Sequence, residues 1–141
     1  MRVVLDTNIL VSGLLWDGPP RRILIATRRE KLELYISPSL ISELREVLKR
    51  PTFNARLEAA HTSVTQLIDG ITALATVIQP VDIPATVHAD PDDDEVLACA
   101  IAASASFIVS GDEHLLLLGS FREIRIVKAI DLLSRLERVG E

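Results

Sequence analysis

The sequence predicts an α/β domain in which a parallel sheet is covered by helices on both faces. Short runs of aliphatic and β-branched residues alternate with helical patterns along the whole chain. None of these runs alternates between apolar and polar residues, which is typical of strands that are buried on both faces. A chain of 141 residues is long enough to close one core. We therefore predict a single domain that spans residues 1–141.

Five runs of apolar residues predict the strands of this sheet. The first, "RVVL", ends at Asp6, and the others resemble it in length and composition. The predicted strands are residues 2–5, 32–37, 76–80, 107–110 and 124–127.

Helical patterns fill the intervals between the predicted strands. The clearest is "SPSLISELREVLKR", with Ser37 as the N-cap and Pro38 in the first helical position. We also predict helices in residues 21–32, in the less regular stretch 53–76, from about Pro91 and from about Ala129. Residues 81–91 are rich in proline and polar residues, which predicts a loop.

Composition limits the classes of function and location. The formal net charge is −5, so a nucleic-acid partner would need a local basic patch or a metal. The single cysteine, Cys99, cannot form an internal disulfide, which fits a reducing compartment. Asp6 interrupts the first apolar run too early for a signal peptide, and no stretch approaches the ~20 residues of a membrane span. We expect a cytoplasmic protein with no membrane association.

Acidic residues follow the predicted strands. Asp6 closes the first strand, and Asp112 comes shortly after the strand at 107–110. Glu43 lies in the helix after the second strand, at the edge of its apolar face. Ligands of parallel α/β sheets bind beyond the carboxyl ends of the strands. These acids are therefore candidate site residues.

The densest acidic cluster stands at the start of the helix predicted from Pro91. Asp93 lies four residues before Leu97 on the apolar stripe of this helix, and Asp94 lies three residues before it. Helix capping and the helix dipole would account for the remaining acids of the cluster. Capping by the whole cluster, with no site acid in it, is the alternative interpretation. Either Asp93 or Asp94 can be the inward site acid, and the helical wheel favours Asp93.

Carboxylates that converge at one edge of a sheet repel each other and raise one another's pKa. A hard divalent cation relieves that repulsion, and Mg²⁺ or Mn²⁺ prefers oxygen ligands. Such a metal also activates water and screens a phosphate from the acids. The predicted metal ligands are Asp6, Glu43, Asp93, Asp94 and Asp112.

Four segments of the sequence resemble, in order and spacing, the motifs of PIN-domain ribonucleases, and most closely those of VapC-like toxins. They are "VVLDTNIL", "SPSLISELREVL", "DPDDDEVLACAIA" and "IVSGDEHLL". The resemblance covers residues 1 to about 128. It implies a three-layer α/β/α fold with a five-stranded parallel sheet and an endoribonuclease that depends on Mg²⁺ or Mn²⁺.

Several residue roles and partners follow from the same resemblance. It implies Asp6, Glu43, Asp93 and Asp112 as the catalytic acids, with Asn8 and Ser110 orienting the carboxylates or water. It also implies an RNA substrate, a cognate antitoxin protein and a homodimer. The basic residues predicted to contact RNA phosphates are Arg21, Arg22, Arg45 and Lys49. A solvated helix face or a docking surface for an inhibitor are the alternative interpretations of these basic residues.

Two other functions remain as alternatives. A phosphatase would use Asp6 as a covalent nucleophile, but Asn8 stands where the D-x-D-x-T pattern needs a second acid. A non-catalytic, PIN-like binding module would be marked by the loss of a site acid, and all four positions carry acids here.

Overall fold

The computed structural model describes residues 1–81 and 91–139, apart from the side chains of residues 91, 92 and 139. Most of the predicted loop at 81–91 lies outside the described residues. The strands are β1 (Arg2–Leu5), β2 (Glu33–Ile36), β3 (Thr76–Val77), β4 (Phe107–Val109), β5 (Ser120–Phe121) and β6 (Ile124–Val127). The helices are α1 (Thr7–Leu15), α2 (Pro19–Arg28), α3 (Pro38–Leu48), α4 (Asn54–Ala59), α5 (Val64–Leu74), α6 (Pro91–Ala102), α7 (Glu113–Leu118) and α8 (Ala129–Val139), with a 3₁₀ turn at Pro51–Phe53.

The strands form one sheet in the order β3-β2-β1-β4-β6-β5. All five predicted strands are present and pair in parallel, with β1 between β2 and β4. The expectation of a purely parallel, five-stranded sheet was wrong, because β5 is a sixth strand that pairs antiparallel with β6. Arg122 and Glu123 adopt left-handed conformations, which reverse the chain between these two strands.

The centre of the sheet is fully buried. Val3 and Val4 in β1 and Ile108 and Val109 in β4 have no measurable exposure. Aliphatic side chains on both faces of these strands must therefore be covered, and α6 provides part of the cover through its contacts with β1, β2 and β4. This burial fixes the ends of β1 and β4 next to each other, where the candidate site lies.

Close packing holds α1 against α2. A Cβ atom at Gly13 would lie 2.9 Å from Cδ1 of Leu24 and 3.0 Å from the carbonyl oxygen of Pro20. Such distances are shorter than normal contacts, so glycine allows the two helices to approach. The position of α1, which begins at Asp6, is therefore set by a tight contact near its other end.

The helices predicted from the sequence begin and end close to the predicted positions, with two differences, whereas α1 and α7 were not predicted as helices. Ser37 is the N-cap of α3 as predicted, and its hydroxyl accepts a hydrogen bond from the Leu40 N–H. The helix predicted at 21–32 ends at Arg28, and Glu30 then adopts a left-handed conformation. The stretch at 53–76 divides into α4 and α5, because the chain turns at His61 and Ser63 caps a new helix.

Candidate active site

Asp6 is a buried carboxylate at the carboxyl end of β1. Its side chain is only 7% exposed. It is the N-cap of α1, and its Oδ1 atom accepts a hydrogen bond of 3.0 Å from the Ile9 N–H. Its Oδ2 atom accepts a hydrogen bond from the Ser110 hydroxyl. Both oxygens are thus engaged, which fixes the orientation of the carboxylate.

Ser110 connects the ends of the two central strands. It follows β4 and is fully buried. Its hydroxyl donates to Asp6 and accepts a hydrogen bond of 2.9 Å from the Asp112 N–H. A single hydroxyl therefore links the acid after β1 to the acid after β4. This contact agrees with the orienting role that the sequence predicts for Ser110.

Asp112 is the second acid at this edge of the sheet. It caps α7, because its Oδ1 atom accepts hydrogen bonds from the N–H groups of His114, at 2.8 Å, and Leu115, at 3.2 Å. It is partly exposed, in contrast to Asp6. The side chain of Asp112 therefore faces the surface of the protein while Asp6 lies beneath it.

Burial raises the pKa of Asp6 above its ordinary value, and the nearby charge of Asp112 raises it further. The hydrogen bonds from the Ser110 hydroxyl and the Ile9 N–H favour the carboxylate, but they only partly offset the loss of hydration. The two ionised carboxylates therefore repel each other, and burial adds to the free-energy cost of the Asp6 charge. A cation bound beside both carboxylates would relieve this repulsion.

The other candidate acids stand on helices that begin near the same edge. Asp93, in the first turn of α6, is 6% exposed, and Asp94 is more accessible. This placement agrees with the helical wheel, which put Asp93 nearer the centre of the buried stripe. Glu43 lies partly buried on α3 and lines a depression between α3 and α6, together with Glu46, Arg50 and Glu95.

Of the predicted acids, Asp6 and Asp112 interact electrostatically, and the joint role of all five stays a prediction. Among the described residues, no group of three or more acidic, histidine or cysteine side chains has a geometry that could hold a metal ion. Asp6 and Asp112 interact, and Glu43 lines the depression between α3 and α6. Two carboxylates with water are nevertheless a common way to bind Mg²⁺. The oxygen donors of Asp6 and Asp112 therefore fit a hard divalent cation.

Comparison with known proteins agrees with this arrangement. The family described as "PIN domain" matches residues 2–114, more than half of the chain, and the match includes the positions of all the candidate acids. The chain belongs to the PIN domain family. A protein of Methanocaldococcus jannaschii, described as uncharacterized, is 28% identical over 119 residues, which are 84% of this chain and 75% of that protein. PIN domains are typically metal-dependent nucleases, and PIN nucleases in general bind RNA.

Asp112 lines a surface groove of this PIN domain. Its walls come from the start of α1 and from the turn between β4 and α7, and they consist of Asn8, Ile9, Ser12, Gly111, Asp112, Glu113 and His114. Asn8 is exposed there, and its side chain makes no hydrogen bond with the described acids. Its predicted role in orienting the carboxylates or water stays a prediction. The sequence analysis did not identify Ser12, although it lies four residues after Asn8 on the same helix face.

Three of the four residues that were predicted to contact RNA, namely Arg21, Arg22 and Lys49, make contacts within the chain of this PIN domain. Arg21 was predicted to bind phosphate, but its guanidinium donates to the carbonyl oxygens of Gly13 and Leu14 and to Asp17. It therefore satisfies free carbonyls at the end of α1, which is a structural role. Arg22 pairs with Glu137 at 3.2 Å, near the end of α8.

Two of the four residues that were predicted to contact RNA lie on α3 or at its end. Arg45 is exposed, and Lys49 is exposed with its Nζ atom 3.7 Å from Glu46. Their contact with RNA stays a prediction. Arg50, which was not selected from the sequence as a site residue, lines the same depression as Glu43.

Within the part of the chain that the structure describes, no helix combines the length and the apolar character needed to cross a membrane.

Proposed function

We propose that this PIN domain is an endoribonuclease that depends on Mg²⁺ or Mn²⁺ and acts at the edge formed by Asp6, Ser110 and Asp112. The observation that carries the proposal is the pair of neighbouring acids, Asp6 and Asp112, joined by one buried hydroxyl. The cost of burying Asp6 as an anion raises its pKa. An acid whose pKa is perturbed by burial and by a nearby charge is a recurrent feature of functional sites.

Asp6 and Asp112 would hold the cation, and Glu43 and Asp93 are the further acids that we assign to the site. When bound, the cation supplies an activated water and screens the RNA phosphate from the carboxylates. Mg²⁺ and Mn²⁺ both prefer such oxygen ligands. Asp94 is the alternative to Asp93, because both lie in the first turn of α6.

The remaining residues position these acids. The Ser110 hydroxyl and the Ile9 N–H each donate a hydrogen bond to one oxygen of Asp6, so that its carboxylate is held in one orientation. The N–H groups at the start of α7 hold Asp112 in the same way. Fixed carboxylates avoid the cost of reorganising the site during the reaction. We assign Asn8 to contacts with the substrate or with water in the groove.

We further infer a biological role from the resemblance to VapC-like proteins. The chain would act as the toxin of a toxin–antitoxin pair, as a homodimer that a cognate antitoxin holds inactive. An antitoxin-like reading frame next to the gene would support this role, and harmless overexpression of active protein without a partner would contradict it. Light scattering tests the dimer, which a monomer at all concentrations would refute.

The direct test of the enzyme is cleavage of single-stranded RNA by purified protein. We expect cleavage with Mg²⁺ or Mn²⁺ and none with excess EDTA. Equal cleavage with and without the chelator would refute the metal-dependent mechanism. Binding of RNA without cleavage under all metal conditions would instead favour a non-catalytic PIN-like module, and release of phosphate from a small monoester would favour the phosphatase.

The choice between Asp93 and Asp94 has its own test. We expect Asp93→Asn to lower the cleavage rate by at least ~100-fold, because it removes the charge of the more buried acid. Asp94→Asn, one residue along the same helix turn, is the matched control and should retain most of the rate. If Asp94→Asn lowers the cleavage rate and Asp93→Asn retains it, Asp94 is the site acid. If both variants cut RNA like the parent, the acids at the start of α6 serve only the helix terminus.

A further inference from the structure

The end of α1 carries an exposed aromatic side chain that the proposed chemistry does not use. Trp16 is the only tryptophan of the chain, in which aromatic residues make up 4%. It directly follows α1, and 43% of it is exposed. An exposed aromatic ring is a feature that binding surfaces often use.

Two neighbouring side chains hold this ring in place. The rings of Trp16 and Phe53 are 6.1 Å apart at an angle of 62°, which is an edge-to-face contact. The guanidinium of Arg56 lies 5.7 Å from the centre of the Trp16 ring, and its Nε atom donates a hydrogen bond of 2.6 Å to the Leu15 carbonyl. We call Trp16, Phe53 and Arg56 the aromatic platform. The ring is therefore fixed before any ligand binds, which lowers the entropy cost of stacking on it.

The aromatic platform and the groove at Asp112 are connected through helix α1. Asn8 and Ser12 line that groove, and Trp16 follows Ser12 by one further helical turn. The Trp16 N–H donates to the Ser12 carbonyl at 2.9 Å, so the helical spacing extends to Trp16. At 1.5 Å per residue, the backbone of Trp16 lies about 12 Å along α1 from that of Asn8. A strand a few nucleotides long can span this distance.

The chemistry of the platform favours a nucleic-acid strand. Proteins bind single-stranded RNA by combining basic side chains with aromatic rings on which bases stack. Here Arg56 lies against the Trp16 ring. The exposed Arg50 lies one turn before Phe53, because the Phe53 N–H donates a hydrogen bond of 3.0 Å to the Arg50 carbonyl. A protein partner could also use an exposed tryptophan. The position of Trp16 at the end of the helix that carries part of the Asp112 groove, together with the neighbouring cations, favours RNA.

We propose that Trp16 stacks on a base of the single-stranded RNA whose backbone enters the groove at Asp112. This inference rests on the proposed ribonuclease function and adds to it a base-binding subsite at the far end of α1. Stacking does not depend on base identity, so the subsite would favour single-stranded over double-stranded RNA without reading a sequence.

Because the chain has one tryptophan, its fluorescence reports on this subsite alone. We would titrate the protein with a short oligouridylate in the presence of Ca²⁺ and follow the emission. We expect saturable quenching, which high salt reverses as phosphate contacts weaken. An RNA duplex of the same length should quench far less.

Variants test the same inference through affinity for fluorescently labelled oligouridylate. Trp16→Ala should weaken binding by about 5- to 100-fold, the range expected for the loss of one stacked base. Trp16→Phe should keep most of the affinity and shows whether the site tolerates substitution without unfolding. Phe121→Ala is the matched control, because Phe121 also packs against an arginine, Arg122 at 5.3 Å, but lies on the edge strand β5. It should bind RNA like the parent.

The outcomes separate this inference from the proposed function. If the parent cuts RNA but its fluorescence does not change and Trp16→Ala binds normally, the base-binding subsite is wrong and the ribonuclease stands. If the parent neither binds nor cuts RNA, both fail. If Trp16→Ala leaves RNA binding intact but dissociates a dimer, Trp16 belongs to a protein interface and the inference is overturned.

Discussion

Helices α1 and α5 follow the same local rules in different surroundings. Each begins at a polar N-cap that accepts a hydrogen bond from the N–H three residues later: Asp6 from Ile9, and Ser63 from Gln66. Each has a glycine in its seventh position. The cap of α1 is buried at the edge of the sheet, whereas the cap of α5 is exposed.

The difference shows that burial, and not the local motif, decides what a capping residue can do. Ser63 only satisfies the start of its helix. Asp6 does the same, but it also loses hydration, lies beside Asp112 and has a raised pKa. An acid that is costly to ionise is suited to bind a cation, because the cation compensates the missing water. The proposed catalytic edge is therefore a helix start that the fold has buried.

The largest expected effect is on RNA cleavage, when the N-cap of α1 is substituted and the N-cap of α5 serves as the control. Asp6→Asn should lower RNA cleavage by at least ~100-fold, or ~2.7 kcal/mol of transition-state stabilisation, because it removes the charge. Asparagine still caps a helix, so the fold should persist. Ser63→Ala should leave the cleavage rate unchanged and cost about 1 kcal/mol of stability. Initial cleavage rates and urea unfolding measure the two effects, and an Asp6→Asn variant that cuts like the parent would refute the role of this edge.

The paired glycines should respond to alanine with opposite signs. Gly13→Ala should lower the free energy of unfolding by about 1–3 kcal/mol, since its Cβ would lie 2.9 Å from Leu24. Gly70→Ala should raise it by up to about 1 kcal/mol, because nothing lies within 4 Å of that Cβ and alanine favours a helix. Denaturant midpoints test both, and shifts in the same direction would contradict the different packing of the two helices.

The smallest expected effect is a pH dependence that only α1 carries. Since the pKa of Asp6 is raised in the folded state, its contribution to stability is present below its ordinary pKa and is lost as the pH rises through the folded value. Without divalent cations, Asp6→Asn should therefore gain stability relative to the parent as the pH rises from the ordinary pKa of an aspartate through the raised pKa of Asp6. Ser63→Ala should run parallel to the parent, because serine does not titrate. If the stability of the parent and of Asp6→Asn had the same pH profile, the raised pKa of Asp6 would be contradicted.

Features set by local sequence were predictable in this chain. The N-cap at Ser37 follows from a serine and a proline at the start of a helical pattern. The five parallel strands follow from apolar runs of a few residues each. The inward position of Asp93 follows from helical periodicity, because a buried stripe fixes which neighbour points toward the sheet. Asp6 and Asp112 could be paired from the rule that parallel strands end at one edge.

Features that depend on distant contacts were not predictable. The pairing of β5 requires knowing that the chain reverses at Arg122 and Glu123, and its two residues carry no strand pattern of their own. The contacts of Arg21 with backbone carbonyls of α1 leave no trace in composition. The depression that Glu43 lines depends on how α3 is placed against α6, which no spacing along the chain determines.

The most direct test of the central claim is the free energy of unfolding as a function of Mn²⁺ or Mg²⁺ concentration, measured for the parent, Asp6→Asn and Ser63→Ala. If a cation relieves the buried charge of Asp6, metal at a hundred times its dissociation constant should stabilise the parent by ~2.7 kcal/mol. Ser63→Ala should show the same gain and Asp6→Asn a much smaller one. A parent whose stability does not respond to either metal, or an Asp6→Asn variant that gains as much as the parent, would contradict the proposed metal site at this edge.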